Sequence, residues 1–247
     1  MSGEPGPGGK AAREALEMRG RYARRDAQGD ARRYSLDDPY AFAAWRERLQ
    51  EVRRMLQSSG FIESIGMRDV LEIGCGSGRN LQDLLDLGAD ARRVQGIELL
   101  PERAAAARGA LPEACRIWSE DALSPQMSQR IAFGSQDLVV LFTVFSSILS
   151  DDVQQQLAQR AWQWLKPGGA VLWHDFVYDN PRNADVRGVR IKRVRALFPD
   201  ASMQVRRITL APPLGRAACR ISPALYPVLG SIPLLRTHVL CLLRKNS

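Results

Sequence analysis

The chain is poor in the residues that build disulfide frameworks and metal sites. Its 247 residues include four cysteines, Cys75, Cys115, Cys219 and Cys241, and two histidines, His174 and His238. No Cys-x-x-Cys occurs and the thiols lie far apart, which argues against a disulfide scaffold and against zinc, so reduced thiols and no metal are expected. No apolar run approaches the roughly 20 residues needed to cross a bilayer. The opening MSGEPGPGGKAAREALEMRGR has no apolar stretch of the kind that marks a secretory signal, and a cytoplasmic location is the expectation. Blocks of like charge are missing too. The net charge of +8 arises from 35 basic and 27 acidic residues, and the basic ones are scattered along the chain, a weaker pointer to nucleic acid than one contiguous basic stripe.

What is present reads as an ordinary globular chain, 45% apolar and 25% charged. Residues 1–10 are rich in glycine and proline and are expected to be a disordered tail. Two helices should follow as an N-terminal cap over residues 11–66. The first spans about Ala11 to Ala27; the second opens at Asp38-Pro39, where the aspartate caps and the proline fits the first turn. In that second helix Phe42, Trp45, Leu49, Val52 and Leu56 recur at helical spacing as one apolar stripe. From residue 67 onward strand-like runs at 69–73, 93–98, 114–118, 137–142, 169–176, 203–210 and 236–243 alternate with helical ones. That alternation predicts a parallel sheet with helices on both faces.

The first strand runs into a glycine turn, Val70-Leu71-Glu72-Ile73-Gly74-Cys75-Gly76-Ser77-Gly78-Arg79-Asn80-Leu81. Such a turn lets backbone approach a ligand closely at the carboxyl ends of the strands. A dinucleotide site wants G-x-G-x-x-G, and this chain reads G-x-G-x-G, so the pyrophosphate spacing is absent. The next strand ends in Glu98, which is able to accept two hydrogen bonds from a ribose diol.

In this ordered set the chain resembles the class I S-adenosylmethionine-dependent methyltransferases over about residues 66–177. VLEIGCGSGRNL is similar to the family's first motif, GIELLPERAAAAR to the second, Ser119-Glu120-Asp121-Ala122 to the third, DLVVLFTVF to the fourth and LKPGGA to the fifth. The resemblance implies a doubly wound, Rossmann-like sheet of seven strands, order 3-2-1-4-5-7-6 with the last antiparallel, and S-adenosyl-L-methionine as cofactor. It also implies a cofactor site of Glu72, Gly74, Cys75, Gly76, Gly78, Glu98, Leu99, Asp121, Ala122 and Phe142. Glu98 would hold the ribose hydroxyls, Leu99 would lie against the adenine, and Asp121 would accept its amine. An N-terminal helix often closes over the cofactor in this family, which makes Tyr22, Arg25, Tyr34 and Tyr40 candidates.

The acceptor is less legible. The Asn/Asp-Pro-Pro-aromatic signature of base-nitrogen methylases and the Pro-Cys of pyrimidine C5 methylases are both missing after the fourth strand. At the end of the fifth strand, Trp173-His174-Asp175-Phe176 offers His174 and Asp175 as candidate bases, of which strand alternation brings only one into the site. Asp179 and Asn180 follow them, and His238 is expected to be structural. Arg182, Arg187, Arg190, Lys192 and Arg193 form a basic group suited to a phosphate or carboxylate, or to a solvated helix face. Residues 214–235 are too apolar for a simple hairpin turn, and a lid, a dimer contact and a peripheral membrane contact stay open for them. FTVFSSIL, DFVYDNPRNADVRGV, TLAPPL and PLLRTH resemble a bacterial subgroup acting on small molecules. A small-molecule or glycan-type acceptor, methylated on oxygen, is expected, with nitrogen methylation, an RNA substrate and cofactor binding without turnover as alternatives, in a monomer or homodimer.

Overall fold

The computed structural model describes residues 7–27, 35–181 and 183–246. Seven strands form one sheet in the order β3-β2-β1-β4-β5-β7-β6. They are β1 Val70–Ile73, β2 Val94–Glu98, β3 Arg116–Ser119, β4 Gln136–Phe142, β5 Leu165–Phe176, β6 Ser202–Leu210 and β7 Arg236–Arg244. β1 to β5 pair in parallel, and β7 runs antiparallel to both of its neighbours. Both the strand order and the hairpin of β6 with β7 match the expectation.

The central strands are apolar on both faces because helices cover both. Val70, Leu138, Val140, Leu172 and Leu240 face one layer, made by α2 (Pro39–Ser58), α3 (Arg79–Asp86) and α4 (Pro101–Ala110). Their strand neighbours Leu71, Val139, Leu141, Val171 and Trp173 face the other, made by α5 (Pro125–Arg130), α6 (Asp151–Trp164) and α7 (Ile191–Leu197). Alternation along each strand therefore decides which layer a polar side chain meets. Glu72 shares the parity of Val70 and points toward α2 and α3.

The first helix, α1, spans Pro7–Ala27 and starts a turn earlier than the glycine and proline content suggests. It therefore claims the end of the expected tail, whose residues 1–6 lie outside the described residues. α2 begins as expected, with the Asp38 carboxylate accepting from the Ala41 N–H at 2.8 Å and Pro39 in the first turn. Its stripe is buried only in its second half, at Val52 and Leu56, whereas Phe42 is exposed. The two N-terminal helices do not form one cap. Met18 of α1 packs on the α6 side of the sheet, and Val52 and Leu56 of α2 on the α3 side.

Residues 214–235 form most of α8 (Pro212–Ile221), α9 (Leu225–Gly230) and a short 3-10 turn. They fold onto α2 and the last strands around a small core of Tyr40, Leu210, Cys219 and Tyr226. The Tyr40 hydroxyl donates to the Leu210 carbonyl at 3.0 Å and the Tyr226 hydroxyl to Glu47 Oε2 at 2.7 Å. Gly215 is required there, because a Cβ would stand 2.3 Å from the Tyr40 ring.

Candidate functional site

A cavity of about 570 Å³ opens at the carboxyl ends of β1, β2 and β4, within the size range of small-ligand pockets. Its floor is the glycine turn. Gly74 (φ +71°) and Gly76 (φ +54°) both use left-handed backbone that other residues adopt at a cost. At Gly74 a Cβ would lie 2.8 Å from Val144 Cγ2, so glycine lets the turn pass under the β4 loop; at Gly76 a Cβ would meet nothing within 4 Å, and the bare backbone faces open space. Glu98 braces the turn. Its Oε2 accepts from the Gly76 N–H at 2.8 Å and its Oε1 from the Leu100 N–H at 2.9 Å. Each carboxylate oxygen keeps a second lone-pair direction.

Gly74, Cys75, Gly76, Glu98, Leu99, Asp121, Ala122 and Phe142 all border this cavity, while Glu72 and Gly78 do not. Gly78 instead starts α3 with φ +88°, pressed against Leu111. Glu72 is fully buried on the opposite face, where its Oε1 accepts from Asn80 Nδ2 at 2.7 Å and its Oε2 has no partner among the described residues. Burial raises its pKa to about 8, against the pull of Asn80 and Arg48. The Asp121 Oδ1 accepts from the Leu123 N–H at 2.8 Å, and burial raises its pKa as well. Cys75 contributes backbone, its thiol packed toward Gly96 and pushed well up in pKa by burial.

The opposite wall is the first helix. α1 lays Ala11, Glu14, Ala15, Met18 and Tyr22 along the cavity, facing Thr143, Val144, Ser147 and Ile148 of the loop after β4. A buried ion pair holds the helix there. Arg21 Nη2 donates to Glu14 Oε1 at 2.6 Å and to the Ser147 carbonyl at 3.0 Å, while Glu14 Oε1 also accepts from the Leu149 N–H at 2.9 Å. The Tyr22 hydroxyl lies 3.1 Å from Ser147 Oγ, and the Arg103 guanidinium sits 4.5 Å over the Tyr22 ring. Thr143 turns the chain with φ +55°, a conformation costing roughly 1–2 kcal/mol that often accompanies ligand sites. The 3–4 spacing of Ala11, Ala15, Met18 and Tyr22 is the one signal that marks this face in sequence.

His174 and Asp175 do not border the cavity. Phe142 pairs with His174, so β4 ends level with that residue while β5 runs on to pair Phe176 with His238 of β7. The His174 ring lies between Phe142, edge-on at 5.5 Å, and His238, stacked at 5.3 Å, and among the described residues neither nitrogen has a hydrogen-bond partner. Burial, then Arg48 and His238, drive its pKa well below the usual histidine value, and His238 falls to about 4. On the other face the loop after β4 roofs Asp175, whose Oδ2 accepts from the Ser146 N–H at 3.0 Å and whose Oδ1 accepts from the Phe176 N–H at 3.0 Å. Burial raises that carboxyl to about 7. The structure thus brings neither candidate base into the cavity: continued pairing with β7 covers His174 and the loop after β4 covers Asp175.

The other expectations divide similarly. Tyr22 reaches the cavity and Tyr40 does not; the Arg25 side chain, Tyr34 and Arg182 lie outside the described residues. Arg187 and Arg193 are drawn to the start of α6, at Asp151 and its carbonyl, so they do not converge on the cavity, and Arg190 and Lys192 are exposed. Asp179 accepts from the Gly188 N–H at 2.8 Å. Among the described residues none from 214–235 borders the cavity.

Residues 70–169 match the family model of a methyltransferase domain. No curated protein matches the chain. Among solved structures it is similar to a putative S-adenosylmethionine-dependent methyltransferase from Listeria monocytogenes, with TM-score 0.59 and 12% identity over 84% of this chain and 98% of that one. The 1,6-didemethyltoxoflavin-N1-methyltransferase of Burkholderia thailandensis aligns with TM-score 0.58 and 16% identity over 100% and 93%. The plantazolicin methyltransferase BamL aligns with TM-score 0.58 and 13% identity over 96% and 97%. Likeness at these identities concerns the fold.

Proposed function

We propose, from the premise that this chain is a class I S-adenosylmethionine-dependent methyltransferase, that it methylates a small molecule seated between α1 and the loop after β4. The observation that carries this reading is the continuity of the cavity, one space lined both by Glu98 and Asp121 and by Tyr22, Ser147 and Ile148. The residues present fit the cofactor. Glu98, already braced by two backbone donors, has lone pairs left for a ribose diol, and Asp121 keeps an oxygen for an exocyclic amine. The bare backbone of Gly76 leaves room for a ligand against the turn. When bound, the cofactor supplies an electrophilic methyl group.

The chain's own residues would act by alignment and exclusion of water. α1 covers the cavity with Ala11, Ala15 and Met18, and the Glu14–Arg21 pair fixes its depth. With His174 and Asp175 sealed, neither is placed to take a proton from the acceptor. The preferred acceptor is then one whose nucleophilic atom is already deprotonated at neutral pH and needs no base from the protein. For the O-methylation that the sequence suggests, this means a carboxylate or acidic hydroxyl on a small or sugar-containing molecule. An uncharged nitrogen satisfies the same requirement and is the second reading, which the N1-methyltransferase among the similar folds supports.

Calorimetry with S-adenosylhomocysteine, followed by isotope-labelled methyl transfer to fractionated small-molecule extracts, tests this. Binding heat and a labelled low-molecular-weight product are expected. No heat with the cofactor product, or label appearing only in RNA, would overturn the proposal.

A further inference from the structure

The charge of this chain is unevenly placed. Residues 201–247 contain seven arginines and lysines and no aspartate or glutamate, so nearly all of the net charge of +8 belongs to them. The same segment carries the largest display of exposed aliphatic side chains. Leu214, Ile221, Val228, Ile232 and Leu234 are 45–86% exposed, Leu234 and Ile221 most of all. On α8, Leu214, Ala217 and Ile221 share one flank by helical spacing, Arg216 and Arg220 share the next, and Gly215 and Cys219 turn inward to the small core. Arg206 and Arg207 add exposed charge on β6, the edge strand of the sheet.

We propose that α8, α9 and the 3-10 turn form a docking surface for an anionic lipid bilayer. Ile221, Val228 and Leu234 enter the boundary between headgroups and acyl chains, and Arg206 and Arg220 pair with lipid phosphates. Apolar residues flanked by arginine, on short helices lying against a folded domain, are suited to the plane of the interface. No described helix is long and apolar enough to cross the membrane, so the attachment is peripheral. Charge selects this occupant over a second copy of the chain, since two such faces would set Arg216 and Arg220 of one against those of the other, while the neighbouring Glu47 is taken up by Tyr226 and Arg236. It selects lipid over nucleic acid because the most exposed residues are aliphatic.

Co-sedimentation of the full chain with vesicles tests this, using phosphatidylcholine alone and phosphatidylcholine mixed with phosphatidylglycerol. The protein should pellet with the mixed vesicles, release as salt is raised, and stay in solution with phosphatidylcholine alone. Ile221→Glu with Leu234→Glu should lower vesicle affinity by roughly tenfold or more, with thermal melting unchanged because both side chains face solvent. Should that variant unfold, Arg206→Gln with Arg220→Gln asks the same question and should also weaken binding. Failure to pellet with the mixed vesicles would overturn the proposal. So would binding indifferent to the acidic double substitution, or a dimer in light scattering that Leu234→Glu dissolves.

Discussion

The floor and the roof of the cavity are held by different means. The floor is backbone drawn to a carboxylate: Gly76 and Leu100 donate to Glu98, and the glycine turn needs little else. The roof is a helix held by side chains far apart in sequence, Glu14 and Arg21 on α1 gripping Ser147 and Leu149. The floor's bonds span a couple of dozen residues and are written in one motif and the strand after it. Those of the roof span well over a hundred and depend on where α6 and the loop after β4 come to rest. A local motif thus specifies a ligand's resting place, while the element that closes over it is specified by tertiary packing.

That contrast is most sharply broken at Arg21. Arg21→Ala leaves the Glu14 carboxylate buried without its cation, a change that costs about 3–5 kcal/mol when nothing relaxes. The loss is capped by the free energy of lifting α1 off the sheet. Hydrogen exchange should therefore show α1 amides losing protection while β1 and β4 keep theirs. If β1 and β4 lose protection equally, roof and floor are one cooperative unit and the distinction fails.

The second test concerns Glu72, which sits beneath the floor and not in it. Its pKa of about 8 stands above its ordinary value of 4.5, so between those values the folded chain holds a proton that the unfolded chain has released. Its stabilising contribution is complete below pH 4.5 and is lost as pH rises through 8. Glu72→Gln removes this dependence. Denaturant titrations should show the variant gaining on the parent from pH 6 to pH 8.5, by on the order of 3 kcal/mol at the upper end. Identical pH profiles would place the ionised carboxylate back in contact with water or ligand.

At the floor itself, Glu98→Ala should weaken S-adenosylhomocysteine binding by ~1–3 kcal/mol through lost charged hydrogen bonds. Glu98→Gln should lose less, because its amide oxygen still accepts one N–H. Calorimetry on both variants reads the difference, and affinity unchanged in Glu98→Ala would move the diol contact to another residue.

Much of this division was legible beforehand. The runs near Val70, Gln136 and Arg236 mark the sheet because they place β-branched or aliphatic residues on both faces, and the shorter Val94 run is marked by its place between helical stretches. Eight of the ten expected cofactor residues border the cavity, since a tight turn at a strand end has few geometries open to it. Glu72 departed because strand parity turned it to the α2 face, an outcome readable only once Val70 is known to face α2. How residues 214–235 pack was not legible, because Gly215 and Tyr226 fit against the Tyr40 ring from 175 and more positions away in sequence, a match that no periodicity encodes.

The smallest expected effect tests the furthest departure. The fifth strand's end was the natural place to look for a base, and alternation alone says that either His174 or Asp175 enters the site. How far β5 runs past β4 is set by its pairing with β7, through Phe176 and His238. That pairing carries His174 under Phe142 and leaves Asp175 to hold the Ser146 N–H. His174→Leu replaces a ring whose nitrogens have no hydrogen-bond partner among the described residues with an apolar side chain against Phe142, so kcat should stay within about twofold and stability should hold or rise. Asp175→Asn keeps an oxygen for the Ser146 N–H and should likewise leave kcat within about twofold. A loss of kcat in His174→Leu, with cofactor affinity and melting temperature intact, would return the imidazole to the chemistry. It would also mean that β5 and the loop after β4 move apart during turnover, making the roof's edge and not its helix the working part of the site.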